Sequence, residues 1–539
     1  MQKVLTAEEM REVDRLTTEK YGIPSILLME NAAHAAARVI TEKVGGSVAG
    51  KSFLILCGKG NNGGDGAALA RILWTLGAEV FVYLYGKVDK TKDDAQLNFE
   101  ILRNVTESKR LYANCLFLAE VETAQALSQI LMTAKSHILV DAFFGTGLAN
   151  PIRNELEFLF RFLSSPRDFT KREMMVSLDL PSGLNADSAK LIGLNIKADF
   201  TVTFTAPKLA NVLPPASDFN GELVVANIGS PQELIDNSPS QLFLAEKQDA
   251  QNWIERTKFS SASYKNARGR ALIIAGSKKM AGAAVLAANA AMVSGLGLVR
   301  VATPESARDA VASRTAPETL IAGVKETKSG AISHAALEEV LELTEKADVV
   351  LIGSGLSSDE NSTKKFVREF VEQRKLSVLI DADGLNALAP FDLTGSDEFP
   401  LILTPHIGEM RRLLGVDEKA DLSDRVKIVR EFAEKYHVIL VLKGERNLIG
   451  APDGRVVISP TGNSGLGKAG SGDTLAGIVT GFLAQAVGMK VDIFETVVAA
   501  LFVAGLAGDI AAEKYGKRVM TASDVRECLG AAFLDLEKN

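Results

Sequence analysis

The 539-residue sequence predicts an α/β protein of two successive domains, each built on a mostly parallel sheet. Three observations predict it. Short runs rich in β-branched and aromatic residues alternate with helix-like segments, the pattern of parallel strands joined by crossover helices. That pattern runs once through the first 230 or so residues and then restarts after a polar interval. The length also exceeds what one hydrophobic core ordinarily holds.

The elements follow in order. Thr6 with Glu9 three residues on is a capping box, opening a helix that stops near Gly22 and Pro24. Ser25 is expected to cap a second helix, ILLMENAAHAAARVI. Strand-like runs then recur as KSFLILCG, AEVFVYLYG, SHILVDAFFG, REMMVSLDLPSG and ADFTVTFTAPK, with GELVVANIGSP closing the set. The stretch QELIDNSPSQLFLAEKQDAQ is polar without a sustained apolar period, so it reads as the separator. The boundary is placed near Asn237, giving domains 1–236 and 237–539.

The second half repeats the grammar with RALIIAGS, GLVRVATP, ADVVLIGSG, LSVLIDADG, PLILTPH and HVILVLKG, apolar throughout as in strands covered on both faces. The apolar stretch AGAAVLAANAAMVSGLGLV from Ala281 is interrupted by Asn289 and Ser294, which suits a buried helix better than a membrane span.

Composition narrows the function. A balance of 47% hydrophobic and 24% charged residues is that of a globular protein, and a net charge of -7 argues against a nucleic-acid binder, whose phosphate contacts need a basic surface. Only Cys57, Cys115 and Cys528 occur, with no CxxC spacing, so neither a disulfide framework nor a zinc cluster is expected and a reducing cytoplasm is. The acidic N-terminal segment does not read as a signal peptide. Small-molecule partners are expected, with no nucleic acid and no membrane, and a homo-oligomeric assembly.

After KSFLILC comes GKGNNGGDG, whose Gly58, Gly60 and Gly63 have the spacing of a dinucleotide-binding turn. A dehydrogenase of that kind needs an acidic residue ending the next strand, to hold the ribose hydroxyls. Here Glu79 starts that strand, and Tyr85 and Gly86 end it. The loop is therefore read as a phosphate cradle, in which backbone N–H groups and a helix N-terminus face an anion. Asp141 in DAFFGTGL and Asp179 in DLPSGLNAD end two more strands and should share the same crevice. Oxygen donors from Asn61, Asp141 and nearby carbonyls could hold a hard cation, and Asp179 is a candidate acid or base.

LMENA, GNNGGDG, DAFFGTGL and DLPSG in this order resemble the N-terminal domain of the YjeF-type NAD(P)H-hydrate epimerases, over most of residues 1–236. The resemblance implies a Rossmann-like three-layer sandwich and a potassium ion shared by Asn61, Asp141 and Ser182. It also implies that Gly60, Asn61, Asn62, Gly63, Gly64 and Asp65, with Gly145, Thr146, Gly147 and Leu148, hold the substrate phosphates. Asp179 would act at the hydrated C6 carbon, assisted by Lys208.

In the second half, TGNSGLGKAGSGDTLAGIVTGFLAQ from Thr461 aims the amides of Gly470, Ser471 and Gly472 at one anion, with Asp473 at the apex. Small-molecule kinases of the ribokinase type use this arrangement to stabilise a phosphoryl group while the Asp takes a hydroxyl proton. Together with GSKKMAGAAVLAANAAMVSGLGLV, IGSGL, DADGLNAL, TPHIGEM and KGERN, it resembles the ADP- or ATP-dependent NAD(P)H-hydrate dehydratases over most of residues 262–539.

That resemblance implies a ribokinase-like α/β domain in which Gly282, Ala283, Gly355 and His406 line the hydrated nicotinamide. Lys443, Gly444, Glu445, Arg446 and Asn447, with Gly470, Ser471 and Gly472, would hold the nucleotide, and Asp473 would be the base. Glu409 would orient a neighbour or bind magnesium. Ser354, Ile407 and Ala504 stand where relatives more often carry proline, proline and histidine. The pair of domains implies repair of NADH hydrate and NADPH hydrate at the expense of ADP. The alternative, a vitamin-type kinase fused to a non-catalytic nucleotide-binding domain, accounts for AGSGD but not for the co-occurrence of both motif sets.

Overall fold

The computed structural model describes residues 1–107, 114–133, 137–164, 172–261, 263–358 and 360–538. They form two compact units, one of residues 3–240 and the other of residues 241–539 with residues 1–2. Each is an α/β fold, as predicted. Ser136 of the SHILVDAFFG run lies outside the described residues.

The first unit carries a seven-stranded sheet in the order Leu116–Val121, Glu79–Tyr85, Ser52–Cys57, His137–Ala142, Arg172–Leu178, Phe200–Phe204 and Glu222–Ala226. All six pairings are parallel. Alternate residues of the strand Ser52–Cys57 serve the two faces, as the pleat requires. Phe53, Ile55 and Cys57 pack with the helices Ser25–Lys43, Asn61–Thr75 and Asp93–Glu107, whereas Leu54 and Leu56 pack with the helices Ala124–Thr133 and Glu155–Leu163. The result is a three-layer sandwich. Strand order reverses between Ser52–Cys57 and His137–Ala142, and at such a reversal the connecting loops part and leave a crevice.

The second unit repeats this plan. Seven parallel strands run Leu320–Val324, Leu298–Pro304, Arg270–Ile274, Val349–Ile352, Ser377–Ile380, Leu401–Leu403 and Ile439–Leu442. Leu448–Gly450 and Val456–Ile458 extend the sheet antiparallel, and Leu242–Leu244 adds beyond them in parallel. The reversal falls between Arg270–Ile274 and Val349–Ile352. The helix Ala281–Val293 buries its alanines against the helix Ser471–Met489, where a side chain at Gly477 would meet the Ala287 carbonyl at 2.2 Å. Close packing of helix on helix thus fixes the start of the Ser471 helix relative to the sheet.

Two readings need correction. Ser25 is the first residue of its helix, whose N-cap is Pro24 without a side-chain bond. The presumed separator is structured: it holds the helix Gln232–Asp236, the strand Leu242–Leu244 and the start of the helix Lys247–Arg256. It looked polar because its elements are short and each buries only a few residues. The stretch at Ala281 is a largely buried helix, as expected; among the described residues another helix, Ile493–Tyr515, is long and apolar enough to cross a membrane, and 72% of its apolar window is buried inside the protein.

Candidate functional sites

At the reversal of the first sheet, the chain leaves Cys57 through Gly58, whose N–H donates to the Ala142 carbonyl (3.1 Å), and enters the helix Asn61–Thr75 with Gly60 as N-cap. Gly63 lies so close to the preceding turn that a Cβ there would stand 1.8 Å from the Gly58 carbonyl oxygen. The loop thereby presses the N-terminal amides into the crevice. Asn62 is buried beside them, and neither atom of its amide has a hydrogen-bond partner among the described residues. A buried amide left unpaired costs free energy unless a ligand completes it.

Asp141, fully buried, accepts from the Ser182 hydroxyl (2.6 Å) and N–H (2.8 Å), from the Ser177 hydroxyl (3.0 Å) and from the Phe143 N–H (3.3 Å). Burial raises its carboxyl above the usual range, and these donors oppose the rise. Asp141 and Ser182 are therefore brought together as expected; Asn61 begins the neighbouring helix and is exposed. The Asp141 carboxylate, the Ser177 and Ser182 hydroxyls and the Phe144 carbonyl, 3.3 Å from the Ser182 hydroxyl, are hard oxygens of the kind an alkali or alkaline-earth cation takes.

Asp179 adopts a left-handed backbone (φ 62°), a conformation uncommon outside glycine that aspartate tolerates better than most residues. Its Oδ1 accepts from the Lys208 ammonium at 2.5 Å and from the Thr203 hydroxyl at 3.1 Å. Lys208 is 1% exposed and also donates to Thr203 Oγ1 (3.0 Å) and the Phe204 carbonyl (3.1 Å). A Cβ at Gly145 would stand 3.3 Å from Asp179 Oδ2 and 3.4 Å from Asn62 Cβ, so the two loops do converge.

Asp65, expected among the phosphate donors, is instead buried near Asp14, Asp179 and Lys208. Burial lifts its carboxyl well above the usual range, the Asp179 and Asp14 charges add to this, and Lys208 opposes it. Gly147 is exposed, and Leu148 packs partly into the core on the other sheet face. Asp14 belongs to this cluster and no sequence motif marked it.

In the second unit, Gly470 takes a left-handed backbone (φ 88°) as N-cap of the helix Ser471–Met489. Asp473 stands in the first turn. Burial pushes its carboxyl up to about 6; Asp381 adds to the rise, whereas Ser354, Lys443 and Asp383 act in mixed sign, the first two lowering it. Ser354 favours the charged form through its nearby hydroxyl, which makes no well-formed hydrogen bond among the described residues. Lys443 donates to Asp381 Oδ1 at 2.8 Å, and a Cβ on Gly472 would be 3.4 Å from its ammonium. Burial works against the Lys443 charge, yet Asp381, Glu409 and Asp473 together hold it above the usual lysine range.

Gly355 and Ala283 meet, since a side chain at Gly355 would come within 2.8 Å of the Ala283 Cβ. Gly282 sits beside Ala283 at the start of the helix Ala281–Val293. His406 caps the helix Ile407–Leu414: its Nδ1 accepts from the Gly408 N–H (2.9 Å), and Glu409 returns a bond to the His406 N–H (2.8 Å). Glu409 is thus the orienting partner of His406. A parallel bridge ties His406 to Lys443 and links the two segments. In the KGERN loop, Asn447 accepts from the Gly444 N–H (3.3 Å), and Arg425 donates to the Arg446 carbonyl (2.7 Å). Asp381, Asp383 and Arg425 were missed as site residues; the DADG run ending a strand held the signal for the first two.

The NAD(P)H-hydrate dehydratase family model matches residues 271–530, and the YjeF-related N-terminal model matches residues 25–210. A bifunctional NAD(P)H-hydrate repair enzyme of Moorella thermoacetica is 39% identical over 537 residues, spanning 99% of this chain and 97% of its own. The chain belongs to the bifunctional NAD(P)H-hydrate repair enzymes. Another member, from Salinibacter ruber, is 34% identical over 98% of this chain and 95% of its own. Among solved structures, the ADP/ATP-dependent NAD(P)H-hydrate dehydratase of Bacillus subtilis, co-crystallized with ATP/Mg2+, has 27% identity and a TM-score of 0.48 over 55% of this chain and 99% of that one. Asp14 apart, the residues of the two sites described above lie within the two matched regions of this chain.

Proposed function

We propose that the unit of residues 3–240 exchanges the R and S forms of NAD(P)H hydrate, and that the other unit dehydrates the S form with ADP, releasing AMP and phosphate. The observation that carries this reading is the Asp473 carboxyl, poised near neutrality at a helix N-terminus beside the Lys443 ammonium. Hydroxide is a poor leaving group, so the C6 hydroxyl must be activated. Asp473 takes its proton as the oxygen attacks the terminal phosphoryl group of ADP. The amides of Ser471 and Gly472 and the Lys443 ammonium meet the charge that spreads over the phosphoryl oxygens. Phosphate then leaves C6, C5 loses a proton, and the reduced ring is restored.

Gly282, Ala283, Gly355 and His406 line the hydrated ring in this reading, with Gly444 to Asn447 along the nucleotide and Asp381 holding Lys443. In the first unit the amides of Asn61 to Gly64 and the segment Gly145 to Leu148 receive the substrate phosphates. Asp141, Ser182 and Asn61 are the residues that would hold potassium, which when bound supplies positive charge beside those phosphates. Lys208 keeps the Asp179 carboxylate aimed at C6. The test is Asp473→Asn, assayed by the return of NADH absorbance from S hydrate and ADP. Loss of that return by about 100-fold or more is expected from removal of a general base, and an unchanged rate refutes the assignment.

A further inference from the structure

Where oxygen leaves one face of C6 and water arrives at the other, a proton is delivered on one face and taken up on the other, and in the reading above Asp179 serves one of them. The helix Ala7–Tyr21 lies across the two loops that carry Asp179 and Lys208. Ala7 packs with Leu180 and Ala210, and Met10 and Val13 pack with Ala206. The Ala7 N–H is further fixed by Asp187 Oδ1 at 2.7 Å. Asp14 shares the inward face with Met10, Val13 and Thr17, as helical spacing requires. Its Oδ1 is shut off from the surface and has no hydrogen-bond partner among the described residues. An unpaired carboxyl oxygen there is costly unless a substrate or water completes it.

We infer that Asp14 is the second proton-transfer residue of the epimerase site, working as the partner of Asp179. The inference rests on the epimerase reading of this unit. In one direction the Asp14 carboxyl gives its proton to the C6 hydroxyl, the C6–O bond breaks, and the ring nitrogen lone pair forms a C6–N1 double bond as water departs. A solvent water then adds to C6 from the opposite face and gives its proton to the Asp179 carboxylate. The product has the other configuration, one proton has passed from Asp14 to Asp179, and the reverse turnover or solvent exchange restores it.

The electrostatics agree with this division. Burial pushes the Asp14 carboxyl up to about 6, Lys208 pulls against that rise and Asp179 adds to it. Asp65, from the helix Asn61–Thr75, feels the Asp14 charge in turn. On the other packed elements, Glu233 of the helix Gln232–Asp236 is turned to Lys20, and Glu30 of the helix Ser25–Lys43 to Arg71. Asp14 is therefore coupled to one ammonium and two carboxyls, all within the site.

The experiment is the full-length Asp14→Asn enzyme, with R/S exchange of NADH hydrate followed by chiral chromatography across pH and the uncatalysed exchange subtracted. Expected are a fall in kcat of about 100-fold or more with KM changed less than about threefold, and loss of the wild-type decline in kcat as pH rises through the Asp14 titration. Asp14→Glu, which keeps the proton, should recover part of the rate. Should Asp14→Asn not fold, the wild-type decline and the Asp14→Glu rate decide. Exchange in Asp14→Asn at the wild-type rate and pH profile overturns the role of Asp14, as does a wild-type profile flat through this range. No exchange by the wild type sinks the epimerase reading itself.

Discussion

Replacing Lys443 with methionine removes one charge from a buried pair and keeps the side-chain bulk. Asp381 is 1% exposed and meets Lys443 at 2.8 Å, with the Thr404 hydroxyl at the same distance from the same oxygen. Stripping one partner from such a pair costs about 3–5 kcal/mol, and the lower end applies because the Lys443 side chain is still 17% exposed. At roughly 2 °C per kcal/mol for a unit of this size, the unfolding transition should fall by about 6 °C. Catalysis should suffer separately, by about 100-fold or more, since the proposed contact of the ammonium beside Gly472 with the phosphoryl group is lost.

A double variant separates the two effects. Lys443→Met with Asp381→Asn leaves no unpaired charge, so thermal unfolding should recover most of the loss while NADH return from S hydrate stays slow. Unfolding and rate both within error of wild type in Lys443→Met would refute the reasoning on both counts. Recovery of rate together with stability in the double variant would refute the phosphoryl role alone.

Other outcomes follow from the same geometry. With Asp473 as the proposed base and its carboxyl pushed up to about 6, dehydratase activity should fall as pH drops through that value; Lys443→Met, which removes an opposing cation, should move the acid limb upward. A pH–rate profile of both proteins checks the sign. Asp179→Asn should abolish R/S exchange, read by chiral chromatography, while ADP-dependent dehydration of pure S hydrate continues. Gly63→Ala, whose Cβ would stand 1.8 Å from the Gly58 carbonyl, should force the phosphate loop apart and raise the KM for hydrate in the exchange assay. Replacing potassium with lithium should slow exchange and leave dehydration of S hydrate unaffected.

Much of the architecture was legible because its signals are local. Thr6 and Glu9 form the capping box their spacing predicts, and the apolar runs from KSFLILC onward become strands. The strands that escaped notice are edge or short elements, among them Leu116–Val121, which exposes Phe117 and has Glu120 next to its end, and Leu242–Leu244, which has only three residues. Neither can show a period. The loop residues of both sites were legible for a similar reason, since glycine and aspartate at strand ends announce a turn that faces an anion.

What stayed hidden depends on burial. Asp14 looks like any polar residue of an amphipathic helix until Met10 and Val13 of that helix pack with Ala206 and its own Oδ1 is left shut off from the surface. Asp65 read as part of a phosphate loop, yet the helix turns its carboxyl inward among Asp14, Asp179 and Lys208. Lys443 was read as a nucleotide contact, and only the folded sheet brings Asp381 under it. Sequence marks which segments meet; distances between segments decide which charge a residue serves.

The central claim is that one chain returns both forms of the hydrate to NADH. A mixture of R and S NADH hydrate given to the purified protein with ADP and potassium should be recovered completely, through exchange of R into S and removal of S. Recovery that stops when the S form is exhausted, at the slow uncatalysed exchange rate, would contradict the epimerase half, and no recovery with ADP would contradict the dehydratase half.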